Sequence, residues 1–321
     1  MRAALIRTPG APPVVDEHPD PAGSPLIDVR AAPITPLDLL CASGTSYFGV
    51  PATPYVPGVQ GVGTLTAPVG DHAAGTVVWF ASSAGMAPGD GSMAERAAVA
   101  EYDVVALPTG VDPVLAAALG LSAVAAWMCL TWRGRLVGGE TVIVLGAGGI
   151  VGEAAVQLAR LAGAGRVVAC ARSQSALDLA RGHGADDGVL LAPDADVERL
   201  AAAMSAGGPA DLVIDPLFGV PAAAALKALR PGGRLVHLGG AAAPTSALDS
   251  ATLRGGSLDV LGYTNNALGP AQRRGALEAV CAFAAAGRLT VRHERVPLAD
   301  AAQAWSRQAA GSTAGRVVLI P

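Results

Sequence analysis

The stretch TVIVLGAGGIVGEAAVQLAR, residues Thr141–Arg160, decides the fold class. Its first five residues, Thr141–Leu145, are apolar and mostly β-branched, as is typical of a parallel strand covered on both faces. A glycine-rich turn follows, and from Ile150 onward apolar residues recur at helical spacing. This order predicts a dinucleotide site, because glycines let the backbone approach a pyrophosphate and the helix N-terminus offers free N–H groups.

The glycine spacing departs from the common GxGxxG pattern, because position 151 is valine. The turn follows GxxGxxG instead, with Gly146, Gly149 and Gly152 at the repeated positions. A glycine turn without a ligand is the alternative, since glycines alone are weak evidence. Seven consecutive residues are predicted to contact a dinucleotide: Gly146, Ala147, Gly148, Gly149, Ile150, Val151 and Gly152.

Length and composition are those of a compact protein with two domains. The chain has 321 residues, of which 51% are hydrophobic and 15% are charged, and this balance argues against disorder. The net charge of −4 indicates no basic surface for nucleic acid. The four cysteines are widely separated, which favours neither a zinc site nor a disulfide framework. The first residues lack a signal-peptide pattern, so we expect a cytoplasmic location.

One apolar segment is long enough to cross a membrane. Pro113–Trp132 contains twenty residues without a charge. However, Gly120 and Ser122 interrupt it, and Asp112 followed by proline is typical of a helix start. We therefore predict two short buried helices that break near Gly120, and no membrane partner.

Three regions follow one another along the chain. Residues 1–112 hold short apolar runs between proline and glycine clusters, which is typical of a small β-barrel or sandwich. Residues 113–265 alternate strands with helices, which predicts a doubly wound parallel sheet and an α/β fold class. Residues 266–321 are expected to return to the first region and complete it.

Individual elements are predicted from the same patterns. The predicted strands are Ala3–Ile6, Leu26–Ala32, Gly61–Thr66, Thr76–Ala81, Ser92–Val99, Val104–Leu107, Thr141–Leu145, Arg166–Ala171, Asp211–Asp215, Arg234–Leu238, Leu258–Tyr263, a short one near Val291, and Arg316–Ile320. The predicted helices include Pro36–Cys41 with Thr35 as its N-cap, Ser175–Arg181 with Ser173 as its cap, Gly219–Arg230, Arg273–Ala286 and Ala299–Ala310.

The order of motifs resembles the medium-chain dehydrogenase/reductase superfamily, in its zinc-independent quinone oxidoreductase and enoyl reductase-like branch. The matching stretches are AAPITPLDLLCASG, PYVPGVQGVG, GSMAERAAV, ALPTGVDPVLAAALGLSAVAAW, GETVIVLGAGGIVGEAAVQLAR, RGHGAD, DLVIDPLFG, ALRPGGRLVHLG and GRVVLIP. The resemblance implies a GroES-like β-barrel domain (1–112, completed by 266–321) and a Rossmann domain that binds NADP (113–265). It also implies an active site in the cleft between the two domains.

The resemblance also bears on metals. Zinc-dependent members place a cysteine where this chain has Thr35, and a Gly-His-Glu where it has Gly58–Val59–Gln60. Neither threonine nor valine is a plausible zinc ligand, since zinc prefers thiolate, imidazole or carboxylate. No metal is therefore predicted.

The end of the second strand of the parallel sheet distinguishes NAD from NADPH. An acidic residue about twenty positions past the glycines would bind the ribose 2′-hydroxyl of NAD. Ala171 stands there instead, and Arg172 and Ser173 follow with groups that suit a 2′-phosphate. We predict NADPH; the alternative is that Arg172 is a solvated surface residue and Ser173 only a helix cap. Because ligands lie beyond the carboxyl ends of such strands, the predicted cofactor-binding residues also include Leu238, Gly239 and Gly240.

Two residues are candidates for catalysis within this resemblance. Related enoyl reductases carry a tyrosine soon after the segment that matches Asp38–Gly44, and Tyr47 lies there with a spacing one residue longer. A phenol suits protonation of an enolate, or a hydrogen bond to its oxygen; a loop residue that packs on the barrel is the alternative. Thr35 stands where many quinone reductases have an asparagine, and its hydroxyl either substitutes for that side chain or caps a helix. Tyr55 is the next candidate.

Two further polar residues are assigned structural roles. Asp38 matches an acid common to the family and is expected to support a turn. His237 lies in an apolar strand, where a single histidine is usually a packed core residue; the alternative is that it faces the cleft.

The resemblance implies a reductase that transfers a hydride from NADPH to a quinone or an α,β-unsaturated carbonyl compound, without zinc. A cyclase or isomerase that retains the cofactor, and an NADPH-binding sensor, stay open because a fold does not fix a function. The partner is expected to be a small-molecule substrate. Relatives often pair the edge strand that Leu258–Tyr263 matches, so we expect a homodimer.

Overall fold

A computed structural model describes every residue from Met1 to Pro321. The strands are β1 (Arg2–Leu5), β2 (Val14–Glu17), β3 (Leu26–Pro33), β4 (Gln60–Leu65), β5 (Val77–Ala81), β6 (Arg96–Ala98), β7 (Val104–Ala106), β8 (Thr141–Leu145), β9 (Arg166–Ala171), β10 (Asp187–Leu190), β11 (Ala210–Asp215), β12 (Leu229–His237), β13 (Asp259–Gly262), β14 (His293–Pro297) and β15 (Arg316–Ile320). The helices are α1 (Pro36–Ser43), α2 (Pro113–Met128), α3 (Ile150–Leu161), α4 (Gln174–Gly182), α5 (Val197–Met204), α6 (Gly219–Lys227), α7 (Ser250–Gly256), α8 (Pro270–Ala285) and α9 (Ala301–Ala309).

The chain forms two compact units. The first unit comprises Met1–Gly120 and Leu277–Pro321, and the second unit comprises Leu121–Ala276. The first unit contains a seven-stranded sheet in the order β14-β15-β3-β4-β5-β7, with β6 also paired to β3. The last strand of the chain, β15, runs antiparallel to β3 in this sheet.

The second unit is built on a six-stranded sheet in the order β10-β9-β8-β11-β12-β13, and every pairing in it is parallel. Numbered within this sheet, the order is 3-2-1-4-5-6, which is that of the doubly wound dinucleotide-binding fold. The order reverses between β8 and β11, and ligands of such sheets bind at that switch point. The predicted α/β class, with its doubly wound parallel sheet, is confirmed.

The long apolar segment forms part of the buried core. The helical stretch Pro113–Arg133 is long and apolar enough to cross a membrane by length and composition, but 72% of its most apolar window is buried inside the protein. The helix breaks at Gly120, whose φ of 30° and ψ of −133° are not helical. A Cβ at Gly120 would collide with the side chain of Gln60, so a larger residue does not fit there. The predicted break is confirmed, as is the start, where Asp112 accepts the Val114 N–H at 3.0 Å.

Several predicted bounds are wrong. The helix predicted as Gly219–Arg230 ends at Lys227, because β12 begins at Leu229, which pairs with Ala210 of β11. The strand expected near Val291 begins at His293, and Ser92–Val99 pairs as a strand only over Arg96–Ala98. Some elements are not predicted at all, among them β10 and α5. In β10 only Val189 is buried, so the strand lacks an apolar run.

Candidate cofactor and active site

The glycine turn joins β8 to α3 as the sequence predicts. Gly146 has a φ of +65°, which suits glycine, and its carbonyl oxygen accepts the Gly149 N–H at 2.9 Å. A Cβ on Gly152 would collide with the Gly146 carbonyl oxygen, whereas a Cβ on Gly149 would meet only that oxygen, at 3.6 Å. The two glycines therefore have different roles: Gly152 allows the helix to pack on the turn, and Gly149 keeps the surface of the turn open.

The N-terminus of α3 has no side-chain cap. Its N-cap residue is Gly149, and no side chain accepts the first backbone N–H groups of the helix. By contrast, α4 and α5 are capped by Ser173 and Asp196, whose side chains accept N–H groups of their own first turns. Uncapped N–H groups and the positive end of the helix dipole favour an anionic group such as a pyrophosphate.

The end of β9 lies beside the glycine turn. Ala147 donates its N–H to the Cys170 carbonyl at 2.9 Å, and a Cβ on Gly148 would lie 3.0 Å from the Ala176 Cβ. Arg172 is exposed and makes no hydrogen bond or ion pair within the chain, so its guanidinium is available to an anion. Ser173 caps α4 by accepting the Ala176 N–H at 3.3 Å.

The ends of β11 and β12 reach the same edge of the sheet. Leu238 donates its N–H to the Asp215 carbonyl at 2.9 Å. A Cβ on Gly239 would lie 3.2 Å from the Pro216 carbonyl oxygen, and a Cβ on Gly146 would lie 3.1 Å from Leu217. The turns that follow four strands, at Gly146, Arg172, Asp215 and Leu238, therefore lie along one edge of the sheet.

Sequence reasoning missed a polar cluster at this edge. His237 Nδ1 lies 2.9 Å from Asp215 Oδ2, and the His237 ring lies 4.3 Å from the Phe218 ring between centroids. The His237 side chain is 30% exposed, so it is not fully packed in the core, contrary to the interpretation that the sequence favours. The segment DLVIDPLFG is the sequence feature that points to this cluster, because a buried strand ends there at an acid followed by proline.

In the first unit, Thr35 and Asp38 form hydrogen bonds with each other at the start of α1. The Thr35 hydroxyl and backbone N–H donate to Asp38 Oδ2 at 2.6 and 2.7 Å, and Asp38 N–H donates back to the hydroxyl at 3.3 Å. Asp38 Oδ1 also accepts the Val59 N–H at 2.8 Å. Burial raises the pKa of the Asp38 carboxyl, and the hydrogen bonds from Thr35 and Val59 oppose that rise. The predicted cap at Thr35 and the structural role of Asp38 are confirmed.

Val59 and Gln60, which stand where zinc-dependent members have histidine and glutamate, are buried. Val59 is 1% exposed and Gln60 is fully buried, with Gln60 Oε1 accepting the Trp79 indole N–H at 3.3 Å. No group of three or more His, Cys, Asp or Glu side chains in the chain is arranged to hold a metal ion. All four cysteines are free thiols and buried.

The two candidate tyrosines differ in exposure. Tyr47 is 78% exposed, its ring lies 4.2 Å from that of Phe48, and its hydroxyl makes no hydrogen bond within the chain. Tyr55 is 5% exposed, and its buried hydroxyl has no hydrogen-bond partner. Burial raises the pKa of the Tyr55 phenol, and the nearby Asp38 raises it further. No hydrogen bond joins Tyr47 to Thr35, so the structure does not link the two predicted catalytic residues directly.

The parallel sheet, its strand order and the uncapped glycine turn define a dinucleotide-binding α/β protein. A family model described as "Zinc-binding dehydrogenase" matches residues 151–282, a region that excludes Thr35 and Val59. The quinone oxidoreductase of Homo sapiens is 30% identical over 249 residues, which are 74% of this chain and 73% of that protein. The quinone oxidoreductase of Lama guanicoe is 30% identical over 71% of this chain and 66% of its own length.

Two further similarities extend over the whole chain. One subunit of the phenolphthiocerol/phthiocerol polyketide synthase of Mycobacterium tuberculosis is 30% identical over 99% of this chain, which spans only 15% of that subunit. The quinone oxidoreductase of Thermus thermophilus, whose complex with NADPH is also solved, has a TM-score of 0.80 and 29% identity, with both chains covered completely. The chain belongs to the medium-chain dehydrogenase/reductase superfamily, in its quinone oxidoreductase-like branch, which confirms the resemblance drawn from the motifs.

Proposed function

We propose that this protein is an NADPH-dependent oxidoreductase that reduces a quinone or an α,β-unsaturated carbonyl compound without zinc. The observation that carries the proposal is the uncapped N-terminus of α3, which follows the glycine turn at the switch point of the sheet. The similarity to quinone oxidoreductases supports the same reaction class. Gly146–Gly152 and Leu238–Gly240 would hold the cofactor along the carboxyl edge of the strands.

The choice of NADPH rests on the end of β9. Arg172 is exposed and makes no hydrogen bond or ion pair within the chain. Ala171 offers no carboxylate that would repel a 2′-phosphate. The T. thermophilus relative that is solved with NADPH supports this choice. The Ser173 hydroxyl already accepts the Ala176 N–H at 3.3 Å and lies 3.2 Å from the Ser175 hydroxyl, so it has bonds within the chain. Arg172 therefore carries most of the expected preference for the 2′-phosphate.

The proposed reaction balances without a metal. Bound NADPH supplies a hydride, and the acceptor takes up that hydride and one proton, so NADP⁺ and a saturated carbonyl compound or a hydroquinone leave. In the proposal, the exposed Tyr47 phenol donates the proton or holds the acceptor oxygen. Thr35 has one remaining lone pair after its bonds with Asp38, so its hydroxyl would contact the substrate side only as an acceptor.

The reaction is tested by oxidation of NADPH with a panel of acceptors. The panel comprises a benzoquinone, a cyclic enone and an enoyl thioester, the last because the chain resembles part of a polyketide synthase. We expect turnover with at least one acceptor and faster turnover with NADPH than with NADH. Tight binding of NADPH without turnover of any acceptor would contradict the reductase and favour the cyclase, isomerase or sensor alternatives.

We further propose a cytoplasmic homodimer. The edge strand β13 has one free side, and Val260 on it is 40% exposed. The four free thiols suit a reducing compartment. Sedimentation at micromolar concentration should give a dimer, and Val260→Lys should shift it to a monomer; a monomeric wild-type protein would contradict the proposal.

A further inference from the structure

Asp215 is the centre of a small polar cluster at the ends of β11 and β12. It is fully buried, and its Oδ1 accepts the N–H groups of Leu217 and Phe218 at 2.9 and 2.8 Å. Its Oδ2 lies 2.9 Å from His237 Nδ1. One carboxylate thus fixes both the turn that follows β11 and the histidine that ends β12.

The contact with Asp215 decides which nitrogen of His237 carries a proton. A carboxylate only accepts hydrogen bonds, so in the neutral ring the proton is on Nδ1 and the lone pair is on Nε2. His237 Nε2 makes no hydrogen bond within the chain and is not among the buried polar atoms. The cluster therefore presents one oriented acceptor at the edge of the sheet.

The neighbouring Phe218 restrains the ring of His237. Its φ of 61° and ψ of −161° fall in a region that is almost confined to glycine. The Phe218 N–H is held by Asp215 in this conformation, and its ring lies against the imidazole at an interplanar angle of 35°. Such backbone strain persists where the surroundings impose it, and it clusters at functional sites.

The position of the cluster within the sheet selects its ligand. A doubly wound sheet consists of two halves that each bind one nucleotide, and the acid or arginine at the end of the second strand serves the adenosine ribose. Arg172 is at the end of β9 in that half, whereas Asp215 and His237 end β11 and β12 in the other half. The other half receives the nicotinamide riboside.

We propose that His237 binds the nicotinamide riboside part of NADPH, with Nε2 accepting a hydrogen bond from the carboxamide N–H. Asp215 is the positioning residue that sets the tautomer. The inference rests on the proposed NADPH binding and adds the residue that recognises the reactive half of the cofactor. Neither residue is assigned a part in the transfer of the hydride.

Two variants distinguish the hydrogen-bond acceptor at His237 Nε2 from the structural role of the Asp215–His237 pair. In His237→Asn the amide nitrogen replaces Nδ1 and still donates to Asp215, but the Nε2 acceptor is lost. In Asp215→Asn the new amide donates to Nδ1, so the ring proton moves to Nε2, which then donates instead of accepting. Both variants keep an oxygen at residue 215 that accepts the N–H groups of the turn after β11. Thermal unfolding checks that both variants fold.

The readout is binding of NADPH compared with binding of 2′,5′-ADP, which has the adenosine 2′-phosphate but no nicotinamide riboside. We expect both variants to weaken NADPH about five- to tenfold and to leave 2′,5′-ADP unchanged. An equal loss for both ligands, no loss for either, or a change confined to the KM of the acceptor would overturn the assignment. If the wild-type protein bound neither ligand, the proposed cofactor site itself would be wrong, which is a distinguishable result.

Discussion

At the start of α3, Gly149 leaves the first N–H groups of the helix without a side-chain partner, whereas at the start of α1, Thr35 and Asp38 cap one another completely. Both positions correspond to functional segments in the family resemblance. The first keeps its polar groups available for a ligand, and the second uses them to hold its own backbone. In this chain, free polar groups therefore favour the start of α3, rather than the start of α1, as the place where a ligand binds.

The largest effect should come from the glycine that allows α3 to pack. Gly152→Ala places a Cβ against the Gly146 carbonyl oxygen, and we expect a loss of about 3 kcal/mol of unfolding free energy together with loss of NADPH binding. Urea unfolding and cofactor titration measure the two effects.

Gly149→Ala is the matched control for that change. Its Cβ has ordinary contact distance to the Gly146 oxygen, so the stability loss should be only about 1 kcal/mol, from the poorer N-cap. NADPH should nevertheless bind at least about tenfold more weakly, because the methyl group occupies the open surface of the turn. If the two alanine variants lost the same unfolding free energy and the same NADPH affinity, Gly152 and Gly149 would not have the separate roles in helix packing and cofactor binding that we assign to them.

The next largest effect should be on turnover. Tyr47→Phe removes a phenol that is exposed and free of bonds, and we expect kcat to fall by about 100-fold without a change in melting temperature. Tyr102→Phe is the control, since Tyr102 is also exposed, at 61%, in the same unit. An unchanged kcat in Tyr47→Phe would leave Tyr47 as a loop residue and exclude it as the proton donor.

A smaller effect is expected at the start of α1, where Thr35 and Asp38 hydrogen-bond to each other. Thr35→Ala removes the hydroxyl that bonds Asp38, so the unfolding free energy should fall by about 2 kcal/mol while NADPH affinity stays unchanged. Thr35→Ser keeps the hydroxyl and should restore most of that stability. If Thr35→Ala instead lowered kcat and kept full stability, the threonine would act on substrate and its cap would be incidental.

The same contrast explains how much could be predicted from sequence. The strands Thr141–Leu145, Arg166–Ala171 and Arg316–Ile320 are confirmed to the residue, because buried strands carry continuous apolar runs. The caps at Thr35 and Ser173 are predictable because capping depends on residues only three positions apart.

The pairing of Asp215 with His237 could not be predicted in this way. The two residues are 22 positions apart and face each other only because β11 and β12 pair in parallel in that register. Nothing local in an apolar strand reveals such a partner, so the sequence pattern predicts a core residue there. The position of Tyr47 is likewise set by the loop after α1, which no periodic pattern describes.

The preference for NADPH at the end of β9 is measured by equilibrium titration of the wild-type protein and of Arg172→Ala with NADPH and with NADH. Arg199→Ala, an exposed arginine on α5, controls for the change in net charge. Arg172→Ala should weaken NADPH by about tenfold or more and leave NADH unchanged, because only NADPH offers a 2′-phosphate to the guanidinium. Equal losses for both cofactors, or equal affinities in the wild-type protein, would contradict the assignment of this edge of the sheet to NADPH.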